Sequence, residues 1–363
     1  MAKLHLSFGK VLRLFLTAIL VLGVSWGAGC SREPRPDVVP SPPVKEERAA
    51  QAPPELGTAP VPQGHPDGKA VVLCYHQLVT RKPLFNSELN IDDFRTQMKY
   101  LADNGYTTLS LAELKNCLAH RSFPPKSVVI TFDDGYKTFY TLAYPILKEY
   151  GLKAAVFPVV SLTPGLERRV AWGEHLRFHH LRAMLEDSDL VEVGSHTYDL
   201  HYRVEQPGRS TEPPVKPPGA GSPDHGHVPS EDALEPDQDS PETPDPAGRT
   251  AHRRTPGRPA IDQAPGEDTD AYQERLYRDL RLAKDLLEAQ IDREVIALSW
   301  PYGRATPATV EAGRRAGYRL FFTTARAPVT SATKADAVPR YLVQSGSLEE
   351  FKAILASASC TNQ

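Results

Sequence analysis

An α/β fold with a mostly parallel sheet, arranged as a distorted or incomplete (β/α) barrel, is what this sequence predicts. Three observations carry that expectation. Short apolar runs suited to buried strands alternate with amphipathic stretches of helix length. About eight such runs occur, the number a (β/α) barrel needs. Two polar motifs, TFDD at 131–134 and GSH at 194–196, fall where runs end, and barrels carry their chemistry at the C-terminal edge of their strands.

The folded part begins near Lys69 with AVVLCYH, an apolar run typical of a buried strand. In the next stretch Phe94, Met98 and Leu101 share one helical face, and Asn104-Gly105 stops the helix. Tyr106 to Leu109 reads as a strand, LAELKNCL as a helix and SVVITF as a strand. KTFYTLAYPILKEYG is a helix ended by Gly151, KAAVFPVV a strand, Glu174 to Leu185 a helix and LVEVGSH a strand. From 204 to about 268 the alternation breaks into Pro, Gly, Asp, Ser and Thr. Such a segment buries too little apolar surface to fold, so it reads as a disordered insertion within one domain. Tyr272, Leu276, Leu280, Ala283 and Leu287 then form one helical face. Strands VIALSW, YRLFFTT and RYLV follow, with a last helix near Leu348 to Leu355.

The N-terminus reads as an export signal. Lys3, Lys10 and Arg13 precede an apolar run from Leu14 to Val24, and small residues lead to Cys30. The run is short for a transmembrane span. A cysteine directly after Gly27-Ala28-Gly29 resembles a lipoprotein signal, in which that cysteine is lipidated. A membrane-anchored lipoprotein at the cell surface is therefore expected, with plain secretion or an uncleaved anchor as alternatives. Residues 31–68, rich in Pro, Glu and Ala, read as a disordered tether, and 69–363 as the domain. The formal net charge of −3 gives no basic field for nucleic acid. Cys74, Cys117 and Cys360 remain once Cys30 is set aside, which suits neither a disulfide framework nor a zinc finger.

Two adjacent carboxylates, Asp133 and Asp134, at the end of a buried strand raise each other's pKa and cost desolvation unless something compensates. SHTYDLH supplies His196 and His201. Two imidazoles and one carboxylate form a common three-ligand site for a divalent ion with open positions left over. One ion needs only one aspartate. Asp134 is expected to ligate it, leaving Asp133 to take a proton from an attacking water. Zinc suits the set, and cobalt, nickel or iron are also accepted.

TFDDGY, SHTYDLH and WPYG, in this order, resemble the polysaccharide deacetylase family, the carbohydrate esterases with the NodB homology domain. The resemblance covers roughly 69 to 345 apart from the insertion. It implies a distorted (β/α) barrel and metal-dependent removal of acetyl groups from sugars, with Asp133 as base and Asp134, His196 and His201 as ligands. The histidines are five apart rather than the usual four, as in the branch of biofilm poly-β-1,6-N-acetylglucosamine deacetylases.

Two further departures concern the catalytic groups. The family's Arg two residues before the Pro of Pro-Tyr-Gly is here Ser299, so the group that orients the base must come from elsewhere or be absent. Arg340, in VPRY, is the candidate, with a surface salt bridge as the competing reading. The family's late histidine acid is missing, because no His follows His252. His76, at the end of the first strand, is expected to replace it, since barrel closure sets the first and last strands side by side. Tyr302 is assigned to the oxyanion through its main-chain N–H. Asp199 is read as orienting a ligand histidine or capping the turn, and His175, His179 and His180 as a solvated helix face.

The expected substrate is therefore an acetylated polysaccharide, first poly-β-1,6-N-acetylglucosamine, then peptidoglycan or chitin-like oligomers. A non-catalytic carbohydrate-binding barrel is the alternative from another class. The membrane, through the lipid, is the other expected partner, and the chain is expected to act as a monomer.

Overall fold

Two runs of six residues, Ala70–Tyr75 (β1) and Ser127–Phe132 (β5), are buried at every position and pair in parallel along their whole length. Their Val, Ile and Leu content suits a sheet covered on both faces, where alternation of polar and apolar residues is lost. They form the centre of the computed structural model, which describes residues 64–163, 173–204, 258–344 and 347–357. The export signal with Cys30, the tether up to 63, most of the insertion with His225 and His227, and Cys360 lie outside the described residues. All described residues belong to one unit, Leu56–Gln363.

The remaining strands are β2 (Gln77–Val79), β3 (Glu88–Asn90), β4 (Thr107–Thr108), β6 (Ala154–Val156), β7 (Val191–Val193), β8 (Arg203–Val204), β9 (Arg258–Pro259), β10 (Ala297–Ser299), β11 (Leu320–Phe322) and β12 (Tyr341–Leu342). The main sheet runs in the order β12-β1-β5-β6-β7, with β4 on β5, and every pairing in it is parallel. β10 and β11 form a separate parallel pair. Single parallel bridges, Ser195 to Leu298 and Phe322 to Val338, connect that pair to its neighbours. The expected α/β class with a parallel sheet is thus what the chain adopts.

The helices are α1 (Ile91–Asp103), α2 (Leu111–His120), α3 (Tyr144–Tyr150), α4 (Phe178–Asp187), α5 (Thr269–Ile291), α6 (Pro307–Arg315) and α7 (Leu348–Ala356). None of the described helices is long and apolar enough to cross a membrane. Two of them bury the face their spacing foretold: Phe94, Met98 and Leu101 on α1, and Tyr272, Leu276, Leu280, Ala283 and Leu287 on α5. Caps set several starts. Ser110 and Glu113 form a reciprocal capping box on α2, and Asp268 accepts two N–H groups at the start of α5.

Two expected helices differ in extent. The one over 137–151 divides into a π-turn, Phe139–Ala143, and α3. Pro145 cannot donate to the turn before it, and Tyr144 N–H reaches back to Phe139 O in the wider pattern. The helix expected from Glu174 starts only at Phe178, because the backbone of 174–176 is used elsewhere. Lys137 N–H donates to Glu174 O at 2.7 Å and Leu176 N–H to Gly135 O at 2.7 Å. The stretch expected to close the disordered insertion, 258–268, is packed: Ala260 and Ile261 are buried, and β9 pairs with β8.

Candidate active site

Where β5 ends, the chain turns sharply. Asp133 N–H still donates to Tyr75 O at 2.9 Å, continuing the ladder, while Gly135 N–H closes back on Asp133 O at 2.9 Å. Asp134 (φ 66°) and Gly135 (φ 72°) are both left-handed, a conformation a non-glycine residue rarely adopts outside constrained sites. A Cβ at Gly135 would lie 2.7 Å from Pro158 Cα, so glycine is required there. The turn separates the two carboxylates, which engage different partners.

Asp133, 3% exposed, is gripped by Arg340. Arg340 Nη1 donates to Oδ1 at 2.8 Å and Nη2 to Oδ2 at 2.7 Å, a bidentate fork. Ser299 Oγ donates to Oδ2 at 3.0 Å, and the Cys74 thiol lies 3.6 Å from the same oxygen. Arg340 also reaches Ser299 Oγ (2.8 Å), Thr323 O (3.0 Å) and Thr131 Oγ1 (3.3 Å). At 1% exposure it is no surface salt bridge, and that competing reading is corrected. Arg340 stands immediately before β12, and its Nη2 and Ser299 Oγ both meet Asp133 Oδ2. Burial is the largest influence on the Asp133 pKa and works to raise it, but the charge and hydrogen bonds of Arg340 together with the nearby His196 and His76 hold the carboxyl well below the usual range. Oδ2 has three neighbours and Oδ1 one hydrogen bond, so Oδ1 keeps acceptor capacity.

Asp134 faces the histidines. Its Oδ1 lies 3.4 Å from His196 Nε2 and 3.4 Å from His201 Nε2, and the two imidazoles are 4.8 Å apart by centroid. His196 Nδ1 donates to Ser299 O at 2.8 Å, which leaves the Nε2 lone pair facing Asp134. His201 stacks on the Tyr302 ring at 4.7 Å. Burial pushes the His201 pKa down to about 4, so the ring is uncharged at neutral pH. Burial alone would lower His196 as well, but Asp133 and Asp134 raise it on balance. Asp134 Oδ1 is buried without a hydrogen bond, an arrangement that is costly unless a cation completes it. One oxygen and two imidazole nitrogens converging within 4.8 Å fit a divalent ion.

The other expected residues gather around this pair of carboxylates. His76, next after β1, groups with Cys74 and Asp133 within 4.8 Å, and its buried Nδ1 has no hydrogen bond. Asp133 already carries the Arg340 charge, which disfavours a cation in that trio. Tyr302 sits in a 3-10 turn, Pro301–Gly303, in left-handed conformation (φ 56°), with the Arg203 guanidinium 5.0 Å from its ring centroid. A Cβ on Gly303 would come 2.1 Å from Thr324 Oγ1, which fixes glycine in that turn.

Asp199 accepts from Ser161 Oγ at 2.9 Å, and His196 Nδ1 donates to the Ser299 carbonyl. One assignment changes. His175 is not on a solvated helix: it precedes α4, is 8% exposed and stacks on Tyr136 at 5.1 Å. His180 caps its own helix by accepting from Arg177 N–H at 3.0 Å. Sequence reading also missed Asp279 on α5, whose carboxylate accepts from Tyr198 N–H and Asp199 N–H, both at 2.9 Å. Nothing in the i, i+4 pattern of α5 distinguishes it from a solvated aspartate. Burial raises its pKa to about 6.

An acidic pair split in this way, at the strand ends of a parallel α/β sheet, is the outline of a metal-dependent hydrolase centre. The sequence profile of polysaccharide deacetylases matches residues 120–321, more than half of the chain, and the chain belongs to that family. It is 29% identical over 269 residues to the poly-β-1,6-N-acetyl-D-glucosamine N-deacetylase of Escherichia coli (strain K12), covering 71% of this chain and 34% of that protein. It is 32% identical over 127 residues to the Staphylococcus aureus (strain MSSA476) enzyme of the same name, covering 33% of this chain and 40% of the relative. The chain thus spans about a third of the length of the first relative. Among solved structures, the de-N-acetylase of Aggregatibacter actinomycetemcomitans superimposes with a TM-score of 0.57 at 24% identity, over 78% of this chain and 99% of that one, a likeness of fold. His76 and Arg340 both lie outside the span matched by the family profile.

Proposed function

We propose that this chain is a metal-dependent N-deacetylase of N-acetylglucosamine polymers, with poly-β-1,6-N-acetylglucosamine as its substrate. The observation that carries the reading is the division of labour at 133–134: one aspartate held by Arg340 and Ser299, the other facing two histidines. A binding module has no use for a second, separately clamped carboxylate. The names of the relatives in E. coli and S. aureus support the choice of polymer.

In this reading Asp134, His196 and His201 hold a divalent ion, zinc first, with cobalt, nickel or iron as alternatives. When bound, the ion supplies Lewis acidity toward the acetamide carbonyl and lowers the pKa of water. Asp133 Oδ1 takes the proton of the water that adds to the carbonyl carbon, while Arg340 and Ser299 keep the carboxylate ionised and aligned. Tyr302 N–H donates to the developing oxyanion. His76 gives its proton to the sugar nitrogen as the C–N bond breaks, releasing acetate and a glucosamine residue.

Two isolated parallel bridges, at Ser195–Leu298 and Phe322–Val338, support a barrel-type closure of the sheet around this site. Residues 1–30 are taken as an export signal with lipid on Cys30, 31–68 as a tether and 69–363 as the deacetylase domain. On that reading the enzyme is held at the cell surface, facing its polymer.

The test is acetate release by the full chain from β-1,6-linked N-acetylglucosamine oligomers, with chitin oligomers and peptidoglycan fragments in parallel. Added metals, a chelator and Asp134→Asn serve as controls. Metal-dependent release mainly from the β-1,6 oligomers is expected. Release mainly from another polymer would keep the chemistry and change the substrate. No release from any, with metal bound, would leave only a carbohydrate-binding role.

A further inference from the structure

The loop that joins His196 to His201 carries one residue more than the usual spacing, and the structure pins it at nearly every position. Thr197 is left-handed (φ 72°), and its hydroxyl accepts from Leu200 N–H at 3.1 Å. From one side, Val160 N–H donates to Thr197 O (3.1 Å) and Ser161 N–H to Tyr198 O (2.9 Å), while Ser161 Oγ donates to Asp199 Oδ1 (2.9 Å). From the other side comes a single residue of α5. Asp279 Oδ1 accepts from Tyr198 N–H and Oδ2 from Asp199 N–H, each at 2.9 Å.

We infer that Asp279 is a positioning residue for the metal site, the group that holds the 197–200 loop so that His196 and His201 meet at Asp134. The inference rests on the reading of Asp134, His196 and His201 as metal ligands. Both oxygens of one carboxylate bind successive amides at the middle of the loop, so the contact fixes its orientation as well as its position. Asp279 is 80 residues away in sequence from Asp199, beyond the insertion, and both its oxygens accept from amides of the loop. It acts on the ligands only through the backbone between them. Supporting groups of this kind cost about 10- to 100-fold in metal affinity when removed.

The measurement is cobalt(II) affinity of the metal-free full chain by chelator competition, together with the visible spectrum of the bound cobalt. The proteins are the wild type, His201→Ala, Asp279→Ala and Asp279→Asn. Asn is isosteric but sets an NH2 against one of the two amides, so it keeps one bond. Expected is an affinity loss of about 10- to 100-fold in Asp279→Ala, a smaller loss in Asp279→Asn, and an altered spectrum in both. Metal-free Asp279→Asn should unfold at the wild-type urea midpoint, since its role is local. If His201→Ala loses cobalt while both Asp279 variants keep wild-type affinity and spectrum, the positioning role falls and the metal site stands. If the wild type binds no cobalt, or His201→Ala binds it as tightly, the metal reading falls and this inference with it. Loss of fold in metal-free Asp279→Asn would make the residue a general structural support and overturns the inference as well.

Discussion

Arg340 is where chemistry and stability meet. Its guanidinium and the Asp133 carboxylate are both buried, so each needs the other. Removing one partner of such a pair leaves an uncompensated charge at a cost of about 3–5 kcal/mol. Arg340→Ala should therefore lose stability of that order in urea unfolding and lower kcat by roughly 10²- to 10⁴-fold, the worth of an aligned base. Arg340→Lys should recover little, because a single ammonium cannot reproduce the fork. The double variant Ser299→Arg, Arg340→Ser puts the guanidinium back where the family usually carries it, and acetate release should recover in part. A double variant as inactive as Arg340→Ala would show that the origin of the guanidinium matters, not its charge alone. His76→Ala should abolish turnover and leave metal affinity unchanged; near-normal activity would remove His76 from the mechanism.

At the scale of elements, α5 does more than cover the sheet. Arg275 near its start donates to Glu267 Oε1 at 2.8 Å and Oε2 at 2.9 Å, and to the carbonyls of Ala260 and Asp262 at 3.0 and 3.2 Å. This ties the chain returning from the insertion to the helix that carries Asp279. The hydrogen bonds from Arg275 hold the Glu267 pKa down to about 2. A carboxylate with a folded pKa below its unfolded value contributes stability above the unfolded pKa and loses it as the pH falls through the folded one. The contribution should thus be complete above about pH 5, near the ordinary glutamate range, and vanish toward pH 2. Glu267→Gln should flatten the acid limb of a stability-versus-pH curve. A wild-type limb equally steep in that variant would place the acid sensitivity on other carboxylates.

For the molecule as a whole, a ligand that binds the folded state alone stabilises it by mass action. At one hundred times Kd this amounts to about 2.7 kcal/mol, or a Tm rise of roughly 5–10 °C for a domain of this size. Zinc should raise the Tm of the wild type by that amount and leave Asp134→Asn unmoved. An equal rise in Asp134→Asn would place the binding ion elsewhere.

Much of this architecture was legible in the sequence because its causes are local. Apolar runs gave β1 and β5, helical spacing gave the buried faces of α1 and α5, and Gly151 ended α3. Asp133, Asp134, His196 and His201 could be picked out because carboxylates and imidazoles at the ends of buried strands are costly without a purpose. What the sequence could not settle depends on groups distant in the chain. Arg340 meets Asp133 across 207 residues, and Asp279 meets Tyr198 across 81. Neither belongs to a local pattern, so Arg340 could be named only as a candidate and Asp279 not at all until packing brought them to their partners. His175 was misplaced for the same reason, since its helix yields four residues to a backbone pairing with Tyr136. By itself the sequence determined the class of fold, the paired acidic and histidine motifs and the chemistry their residue types allow. The tertiary structure decided which distant cation holds Asp133 and which carboxylate steadies the histidine loop, because a buried charge or amide accepts whichever partner the packing brings within bonding distance.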